Sequence, residues 1–232
     1  MASRKMIDIA VVDYGMGNLR SVAKALEHVA PGQRVTVTAE PGQIRQARRV
    51  VFPGQGAMPD CMRELEVRGL REPVIEAARG KPFLGLCIGL QMLFERSDEG
   101  NVAGLGILPG RVVRFSNDLM DARGEKLKVP HMGWNQVHQR PHPLWAGIVQ
   151  DSRFYFVHSF YVQTPDSALV VGTSFYPTGF TCAVARDNIF AVQFHPEKSQ
   201  VAGLTLLENF VAWDGVHSDA GDAMTVPLAD TH

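Results

Sequence analysis

The first half of the chain alternates between two spacings of its apolar residues. Short apolar runs rich in β-branched residues predict four strands, at 6–13, 33–38, 48–52 and 81–86. Apolar residues at helical spacing predict helices over 18–30, after Pro59, after Pro73 and over 88–95. Strands that alternate with helices in this way are typical of an α/β fold, in which a mostly parallel sheet carries helices on both faces.

The second half changes to a succession of strand-like segments between about residues 107 and 193. Their short lengths and close spacing predict antiparallel additions to the same sheet. A last amphipathic helix is predicted over 201–213, and the polar stretch 214–232 has no clear period, which predicts a disordered tail. No internal repeat or low-complexity linker interrupts the chain, so one domain is predicted over 6–213.

Composition narrows the function classes. Of 232 residues, 45% are hydrophobic and 20% are charged, as in ordinary globular proteins. The net charge of -1 gives no indication that the chain binds nucleic acid or an anionic membrane. No apolar run approaches the ~20 residues that span a bilayer, and no signal peptide is predicted. Three widely separated cysteines argue against a disulfide framework and predict a reducing, cytoplasmic location.

The segment KPFLGLCIGL, residues 81–90, places Cys87 between a predicted strand and a predicted helix. This order matches a nucleophile elbow, a sharp turn that exposes a reactive side chain. Gly85 and Gly89 let neighbouring backbone approach closely and would clear space around the sulfur for a substrate side chain. The helix that starts directly after Cys87 favours a thiolate and points N–H groups towards a nearby oxyanion. A packed, inert cysteine explains the fragment equally well.

A thiolate nucleophile needs a partner that handles protons, and the segment AVQFHPEKSQ, residues 191–200, offers one. His195 follows an apolar strand, which places it at the carboxyl edge of the sheet, where open α/β sheets bind ligands. Glu197 lies two residues further on and could hold the imidazole in one tautomer. Alone, this segment fits a loop histidine better, but together with Cys87 it favours a catalytic triad.

The segment VVFPGQGAMPD, residues 50–60, ends a predicted strand in a glycine-rich turn. Gly54 and Gly56 allow backbone N–H groups to face a cavity, as an oxyanion hole requires. A plain turn between a strand and a helix is the alternative, and it suits this segment better when the segment is considered alone.

Other motifs do not suggest a cofactor or a metal. Arg20 occupies the position of the third glycine in a dinucleotide-binding motif, and the turn at 54–56 is not followed by the lysine of a phosphate loop. His138 and His142 have a spacing that binds metal on a helix, but prolines break any helix there. We therefore predict a solvated loop at these histidines, no metal and no cofactor.

Taken together, the motifs resemble the class I, or triad, glutamine amidotransferases. LGLCIGLQML resembles the nucleophile elbow of that family, and QFHPEKS resembles its His-x-Glu segment. Within the family, three further stretches resemble the glutaminase subunits of imidazole glycerol phosphate synthases: DYGMGNLRSV (13–22), VPHMGWNQV (129–137) and FVHSFY (156–161). The likeness spans about residues 6 to 213.

The resemblance implies a flavodoxin-like fold of the amidotransferase type and the hydrolysis of glutamine to glutamate and ammonia through a cysteine thioester. Cys87 would be the nucleophile, His195 the acid and base, and Glu197 the residue that orients His195. Backbone N–H groups at three positions would hold the oxyanion: Gly54, Gln55 and Ile88. Four residues match positions that bind glutamine: Gln91, Glu99, Ser159 and Phe160.

The resemblance also implies a partner, a cyclase subunit with a (β/α)8 barrel that forms a heterodimer with this chain and receives the ammonia. The cyclase products are imidazole glycerol phosphate and an aminoimidazole carboxamide ribotide, in histidine biosynthesis. Five residues match the surface for docking and ammonia passage: Asn18, Met132, Trp134, Tyr155 and Lys198. Core packing is the alternative for Met132 and Trp134, and a solvated surface charge is the alternative for Lys198.

Two other classes of function stay open at this point. A cysteine hydrolase that acts on peptides or γ-glutamyl compounds would be active without a partner. A non-catalytic binding subunit is disfavoured because Cys87, His195 and Glu197 are all present. One departure from the family concerns Gln55, since many relatives carry a small aliphatic residue there, although the substitution is tolerable if only backbone atoms act.

Overall fold

The structure, a computed structural model, describes residues 7–121 and 123–216. Most of the predicted disordered tail, from 217 onwards, therefore lies outside the described residues, as does the first residue of the predicted domain. The helices are α1 Leu19–Val29, α2 Pro41–Gln46, α3 Met58–Val67, α4 Arg71–Gly80, α5 Ile88–Gln91 and α6 Gln200–Ala212. The strands of the first half are β1 Ile9–Val12, β2 Val35–Thr38, β3 Arg49–Gly54 and β4 Phe83–Cys87. The later strands are β5 Phe94–Ser97, β6 Val102–Ala103, β7 Leu108–Arg114, β8 His131–Gln136, β9 His138–Gln139, β10 Arg153–His158, β11 Phe160–Gln163, β12 Val170–Phe175, β13 Gly179–Arg186 and β14 Ile189–Val192.

One large sheet contains most of these strands, in the order β2-β1-β3-β4-β14-β13-β11-β7-β5-β6, with β12 paired to β13 and β9 paired to β12. The first five strands of this order are parallel neighbours, whereas β13 runs antiparallel to β14 and to β11. The predicted parallel sheet with antiparallel additions is thus present. Because β4 and β14 are parallel and pair Leu86 with Val192, the chain segments that follow them emerge at the same edge.

Successive side chains of the central strands point to opposite faces of the sheet, so the core is divided between those faces. Val51 and Leu84 pack with the buried residues of α1 and α6, and Phe52 and Phe83 pack with those of α3, α4 and α5. Helices therefore cover both faces, as the strand–helix alternation of the sequence predicts.

The predicted helix over 88–95 is wrong beyond Gln91. α5 ends there, and β5 begins at Phe94 and pairs with β7. Met92, Leu93 and Phe94 are all fully buried, and a short apolar run of this kind fits a buried strand as well as a helix. The pairing of β5 with the distant strand β7 decides in favour of a strand, and periodicity does not reveal that pairing.

The prediction that all late strands extend one sheet is also wrong in part. β8 and β10 form a separate antiparallel pair, in which Trp134 lies opposite Tyr155. Alternating side chains indicate a strand but do not identify the strand that it pairs with. This second sheet brings the HMGWN segment beside the segment that precedes Ser159.

We predicted a solvated loop at His138 and His142, and this prediction is right for His138 but wrong for His142. His138 is exposed, but His142 is buried against the rings of Phe190 and Trp213, and its Nδ1 accepts a hydrogen bond from the backbone N–H of Leu144. Within 7–121 and 123–216, no group of three or more His, Cys, Asp or Glu residues could hold a metal ion. No helix in the same ranges is long and apolar enough to cross a membrane.

Candidate active site

Cys87 is the last residue of β4 and directly precedes α5. Its φ of 55° and ψ of -109° lie in a region that residues with a side chain adopt only under strain. The side chain is buried but borders a cavity. A strained residue between a strand and a helix is typical of a nucleophile elbow, and it favours that interpretation over an inert packed cysteine.

Gly85 and Gly89 allow backbone segments to pack tightly around this turn. A Cβ on Gly85 would lie 2.9 Å from Cβ of Ala191, and a Cβ on Gly89 would overlap the carbonyl oxygen of Phe52 in β3. The close approach predicted from the sequence is present. The prediction that these glycines clear space for a substrate is not supported, because neighbouring protein atoms fill the space that they save.

Replacement of Gly89 by alanine is expected to lower the free energy of unfolding by about 1–3 kcal/mol, the usual cost of overpacking. The new Cβ meets a backbone carbonyl, which cannot rotate away as a flexible side chain could. Urea unfolding measures the change. Gly80→Ala is the matched control, since a Cβ there has no described atom within 4 Å and we expect its stability to match or exceed that of the wild type. Equal stability of the two variants would contradict this view of the turn.

His195 follows β14 at the same edge of the sheet, and its Nδ1 lies 2.9 Å from Oε1 of Glu197. Both side chains are almost fully buried, at 4% and 2% exposure. Because a carboxylate only accepts, Nδ1 of His195 carries the proton of this hydrogen bond. Nε2 makes no hydrogen bond to any residue that the structure describes, and His195 borders the same cavity as Cys87. A proton can therefore be exchanged at Nε2, as a triad requires.

Electrostatics couple His195 to Cys87. Burial by itself would lower the pKa of His195, but the negative charge of Cys87, together with the hydrogen bond and the charge of the Glu197 carboxylate, raises it to about 10. The imidazole is then protonated at neutral pH. An imidazolium beside a cysteine is the arrangement that activates cysteine nucleophiles.

Ser199 fixes the loop that carries His195, although the sequence did not single it out. Its hydroxyl donates to the carbonyl oxygen of His195 at 2.6 Å and accepts from the backbone N–H of Tyr155 at 3.0 Å. The backbone N–H of His195 in turn donates to the carbonyl oxygen of Tyr155 at 2.9 Å. The loop is thus tied to β10, a strand that lies some 40 residues earlier in the chain.

A cavity of about 430 Å³ lies at this edge and collects most of the predicted site residues. Its walls include Gln55, Gly56, Cys87, Ile88, Gln91, Glu99, Ser159, Phe160, His195 and Lys198. Gly54 and Glu197 lie behind this lining: Gly54 is the register neighbour of Cys87, and Glu197 is the partner of His195. Nine of these ten lining residues were predicted as site residues, and the tenth, Gly56, was predicted as part of the glycine-rich turn.

The glycine-rich turn after β3 is held from its buried side. Sγ of Cys61 donates to the carbonyl oxygen of Gln55 at 3.4 Å. Carbonyl and N–H point in opposite directions across a trans peptide, so the N–H of Gly56 points away from Cys61. A Cβ on Gly54 would overlap the buried hydroxyl of Tyr14, so this position also needs glycine.

Gln91 presents an unpaired acceptor. Its Nε2 donates to the carbonyl oxygen of Phe160 at 3.2 Å and to Oε1 of Gln193 at 3.0 Å. Its own Oε1 is buried and has no partner among the described residues. A buried amide oxygen without a donor costs free energy, which a ligand N–H group would relieve.

Glu99 has a structural contact as well as a place in the cavity wall. Its Oε2 accepts from the backbone N–H of Met58 at 2.8 Å, at the first residue of α3. A carboxylate at a helix start satisfies an N–H group that has no partner within the helix. If Glu99 binds substrate, as predicted, the same side chain also anchors the start of α3.

The residues predicted to dock a partner lie mostly on the β8–β10 sheet. Met132 and Trp134 are 66% and 41% exposed, so the alternative that they pack in the core is wrong. Trp134 lies edge-on to the ring of Tyr155, and Nζ of Lys198 lies 5.9 Å from the centre of the Tyr155 ring. Because Lys198 also borders the cavity, this exposed group adjoins the cavity mouth. Asn18 instead caps the start of α1 by accepting a backbone hydrogen bond.

Two buried histidines that the sequence analysis passed over continue the polar network. Nδ1 of His158 donates to the carbonyl oxygen of Phe160 at 2.8 Å, and Nε2 of His158 lies 2.9 Å from Nδ1 of His131. Burial lowers the pKa of His131 to about 4 and that of His158 to about 3, so both rings are neutral at pH 7. The tautomers follow, because His158 must donate through Nδ1 and accept through Nε2.

Comparison with known proteins agrees with the fold. The family model of the class I glutamine amidotransferases matches residues 10–213. A solved structure of a glutamine amidotransferase superposes with a TM-score of 0.65 at 16% identity, over 87% of this chain and 98% of that chain. The chain therefore belongs to the class I glutamine amidotransferase family.

More similar sequences define a narrower group. Imidazole glycerol phosphate synthase subunit HisH of Nitrosospira multiformis is 69% identical over 91% of this chain and 100% of its own length. The HisH subunit of Thiobacillus denitrificans is 66% identical over 93% of this chain and 96% of its own length. The predicted family, fold class and glutamine amidotransferase function in histidine biosynthesis are thereby confirmed.

Proposed function

We propose that glutamine is hydrolysed in this cavity, with Cys87 as the nucleophile, His195 as the acid and base, and Glu197 as the group that orients His195. One observation carries the proposal: the strained Cys87 turn and the buried His195–Glu197 pair meet in one cavity. The thiolate attacks the side-chain amide carbon of glutamine. His195 then protonates the amide nitrogen, which leaves as ammonia while a γ-glutamyl thioester remains on Cys87.

Water completes the cycle. His195, now neutral, accepts a proton from the water that attacks the thioester, glutamate leaves, and Cys87 recovers its thiolate. Each tetrahedral intermediate carries an oxyanion, for which we propose the backbone N–H groups of Gly54, Gln55 and Ile88. Ile88 is the first residue of α5, so its N–H has no partner within the helix. The N–H of Gly56, which points away from Cys61, is a further donor of this turn.

We assign glutamine binding to four lining residues. The free Oε1 of Gln91 would accept from the substrate ammonium group, and the Glu99 carboxylate would add a negative charge to attract it. Backbone groups of Ser159 and Phe160 would meet the other polar atoms of the substrate. The bond between Gln91 and the carbonyl of Phe160 supports a shared role for these two residues.

The relatives are named as subunits of a synthase, which supports a partnered chain. We propose that the partner is a cyclase with a (β/α)8 barrel, that the complex is a heterodimer, and that the exposed group around Trp134 docks it. Ammonia would pass from the cavity by way of Lys198, while Asn18 would add a contact at the start of α1. The lyase step of the overall reaction belongs to that partner. The described cysteines are all free, which supports a cytoplasmic location.

The test is a glutaminase assay on the purified chain, alone and mixed with the cyclase and its phosphorylated ribulosyl aminoimidazole carboxamide substrate. We expect the chain to be nearly idle alone and to turn over in the complex. Trp134→Ala should weaken this activation, whereas Val149→Ala, which changes a residue 77% exposed outside the β8–β10 sheet, should not. Full activity without the partner, on glutamine or on γ-glutamyl peptides, would instead identify an independent hydrolase.

A further inference from the structure

Gln193 is a buried amide beside the nucleophile, to which neither the motif nor the proposed mechanism assigns a role. It follows β14 directly, two residues before His195, and its side chain is fully buried. Its backbone N–H donates to the carbonyl oxygen of Cys182 at 2.8 Å, which continues the pairing with β13. The side chain is therefore held in place by the sheet.

The orientation of the Gln193 amide follows from the hydrogen-bonding groups around it. The backbone carbonyl of Phe160 can only accept, so the atom of Gln91 that faces it must be the nitrogen Nε2. That nitrogen also lies 3.0 Å from the Gln193 side chain, which must therefore present its oxygen to Gln91. The nitrogen of Gln193 is left on the other side, 3.8 Å from Sγ of Cys87.

The neutral histidine pair binds the same carbonyl group as Gln91. His158 donates to the same Phe160 carbonyl, and the ring of His131 donates to His158. The Phe160 carbonyl thus accepts from both His158 and Gln91, and on the other side of Gln91 the Nε2–H group of Gln193 is directed at the sulfur. Rotating the Gln193 amide by 180° would set its NH2 group against that of Gln91 and its one oxygen, an acceptor, against the sulfur, which as a thiolate also only accepts.

We propose that Gln193 is a positioning residue for the nucleophile: its Nε2–H donates to the Cys87 thiolate and fixes the direction of the sulfur. The proposal rests on the function proposed above. A hydrogen bond to a charged acceptor is stronger than one between neutral groups, and a buried thiolate has few other donors. The same amide also accepts from Gln91, so one side chain links the nucleophile to the substrate site.

Two variants separate these contacts. Gln193→Glu keeps an oxygen for Gln91 but places a carboxylate oxygen where the donor stood, whereas Gln193→Met removes both polar contacts at similar length. The readout is the rate at which iodoacetamide alkylates Cys87 as a function of pH, with the labelled peptide identified by mass. Burial raises the pKa of Cys61 to about 11 and raises that of Cys182 still further, so neither competes near neutral pH.

We expect the midpoint of alkylation to move to higher pH in both variants, and kcat for glutamine to fall by about tenfold or more, as the loss of one charged hydrogen bond predicts. In Gln193→Glu, KM should change little, because the contact with Gln91 remains. Gln139→Met is the matched control, since Gln139 is also a buried amide, whose Nε2 donates to the carbonyl oxygen of Val149 elsewhere in the fold. It should lose stability but keep the wild-type alkylation profile.

An unchanged alkylation profile in a folded Gln193 variant would overturn the proposal, as would an equal shift in Gln139→Met. Folding of the variants is checked by ammonia-dependent synthesis in the complex, which needs no glutamine chemistry. If Gln193→Met does not fold, Gln193→Glu decides the question by the same profile. Alkylation requires no glutamine, so it tests the role of Gln193 separately from the glutaminase proposal. Failure of the glutaminase proposal would appear as glutamine turnover that does not depend on Cys87, whereas failure of the Gln193 proposal would appear as an unchanged alkylation profile.

Discussion

Replacement of Cys87 by alanine is expected to reduce glutamine-dependent synthesis by at least about a thousandfold, while synthesis from added ammonia persists in the complex. The reason is specific to the turn. No other described cysteine borders the cavity, since Cys61 lies behind the Gln55 carbonyl and Cys182 lies within the sheet. No second thiolate can therefore replace the lost nucleophile.

The measurement is the rate of cyclase product formation with glutamine and, separately, with an ammonium salt. Cys182→Ala is the matched control, because it also removes a buried thiol but leaves the cavity wall intact. We expect this control to lose stability and to keep both rates. Glutamine-driven synthesis that survived in Cys87→Ala would rule out Cys87 as the nucleophile, and loss of both rates would indicate a folding or docking defect instead.

Replacement of His195 by asparagine is expected to lower glutamine-dependent synthesis by about 10²–10⁴-fold, the usual contribution of a positioned acid and base. The residual activity should rise with pH, because the imidazolium no longer holds Cys87 as a thiolate. Ammonia-dependent synthesis should again persist. A pH profile of turnover for the variant and the wild type measures both effects, and wild-type turnover in the variant would remove His195 from the mechanism.

The raised pKa of His195 also predicts how stability depends on pH. Because the folded pKa, about 10, exceeds the unfolded value near 6.5, the protonated imidazole stabilises the folded state fully below about pH 6.5. That contribution declines as pH rises and is lost on passing through about pH 10. Urea unfolding of the wild type and His195→Asn should therefore show a difference at pH 6 that narrows by pH 10. A difference that widened with pH would contradict the ion pair.

The sequence predicts the triad because its local signals are strong, but it does not show how the parts meet. Glycines two residues either side of Cys87 and the His195–Glu197 spacing are local features. That they line one cavity depends on β4 and β14 being parallel neighbours, although 108 residues separate Cys87 from His195. Strand order of this kind is set by packing across the sheet, and no window of the sequence contains it.

The contacts that sequence reasoning missed share one physical character. Gln193, Ser199, His131 and His158 are buried polar groups whose partners lie on other strands. A polar residue in an apolar run, such as Gln193 in IFAVQF, was the available signal, because a buried amide must find hydrogen-bond partners. The sequence does not say which partners, since Gln91 and Cys87 lie about a hundred residues away.

The same limit explains the wrong predictions of structure. The apolar run at 92–94 satisfies a helix and a strand equally, and the pairing of β5 with β7 decides between them. The sequence predicts a strand-like segment at Trp134, but pairing with β10 in a separate sheet leaves Met132 and Trp134 exposed. Local pattern predicts the type of element, whereas the distant partner determines its length and its exposure.

The most direct test of the mechanism is to stop glutamine turnover with acid in the active complex and to determine the mass of the peptide that contains Cys87. We predict a fraction of this peptide that carries a γ-glutamyl group, absent in Cys87→Ala and sensitive to hydroxylamine, as a thioester is. Sustained turnover with no γ-glutamyl group on Cys87, or with that group on another residue, would contradict the assignment of Cys87 as the nucleophile.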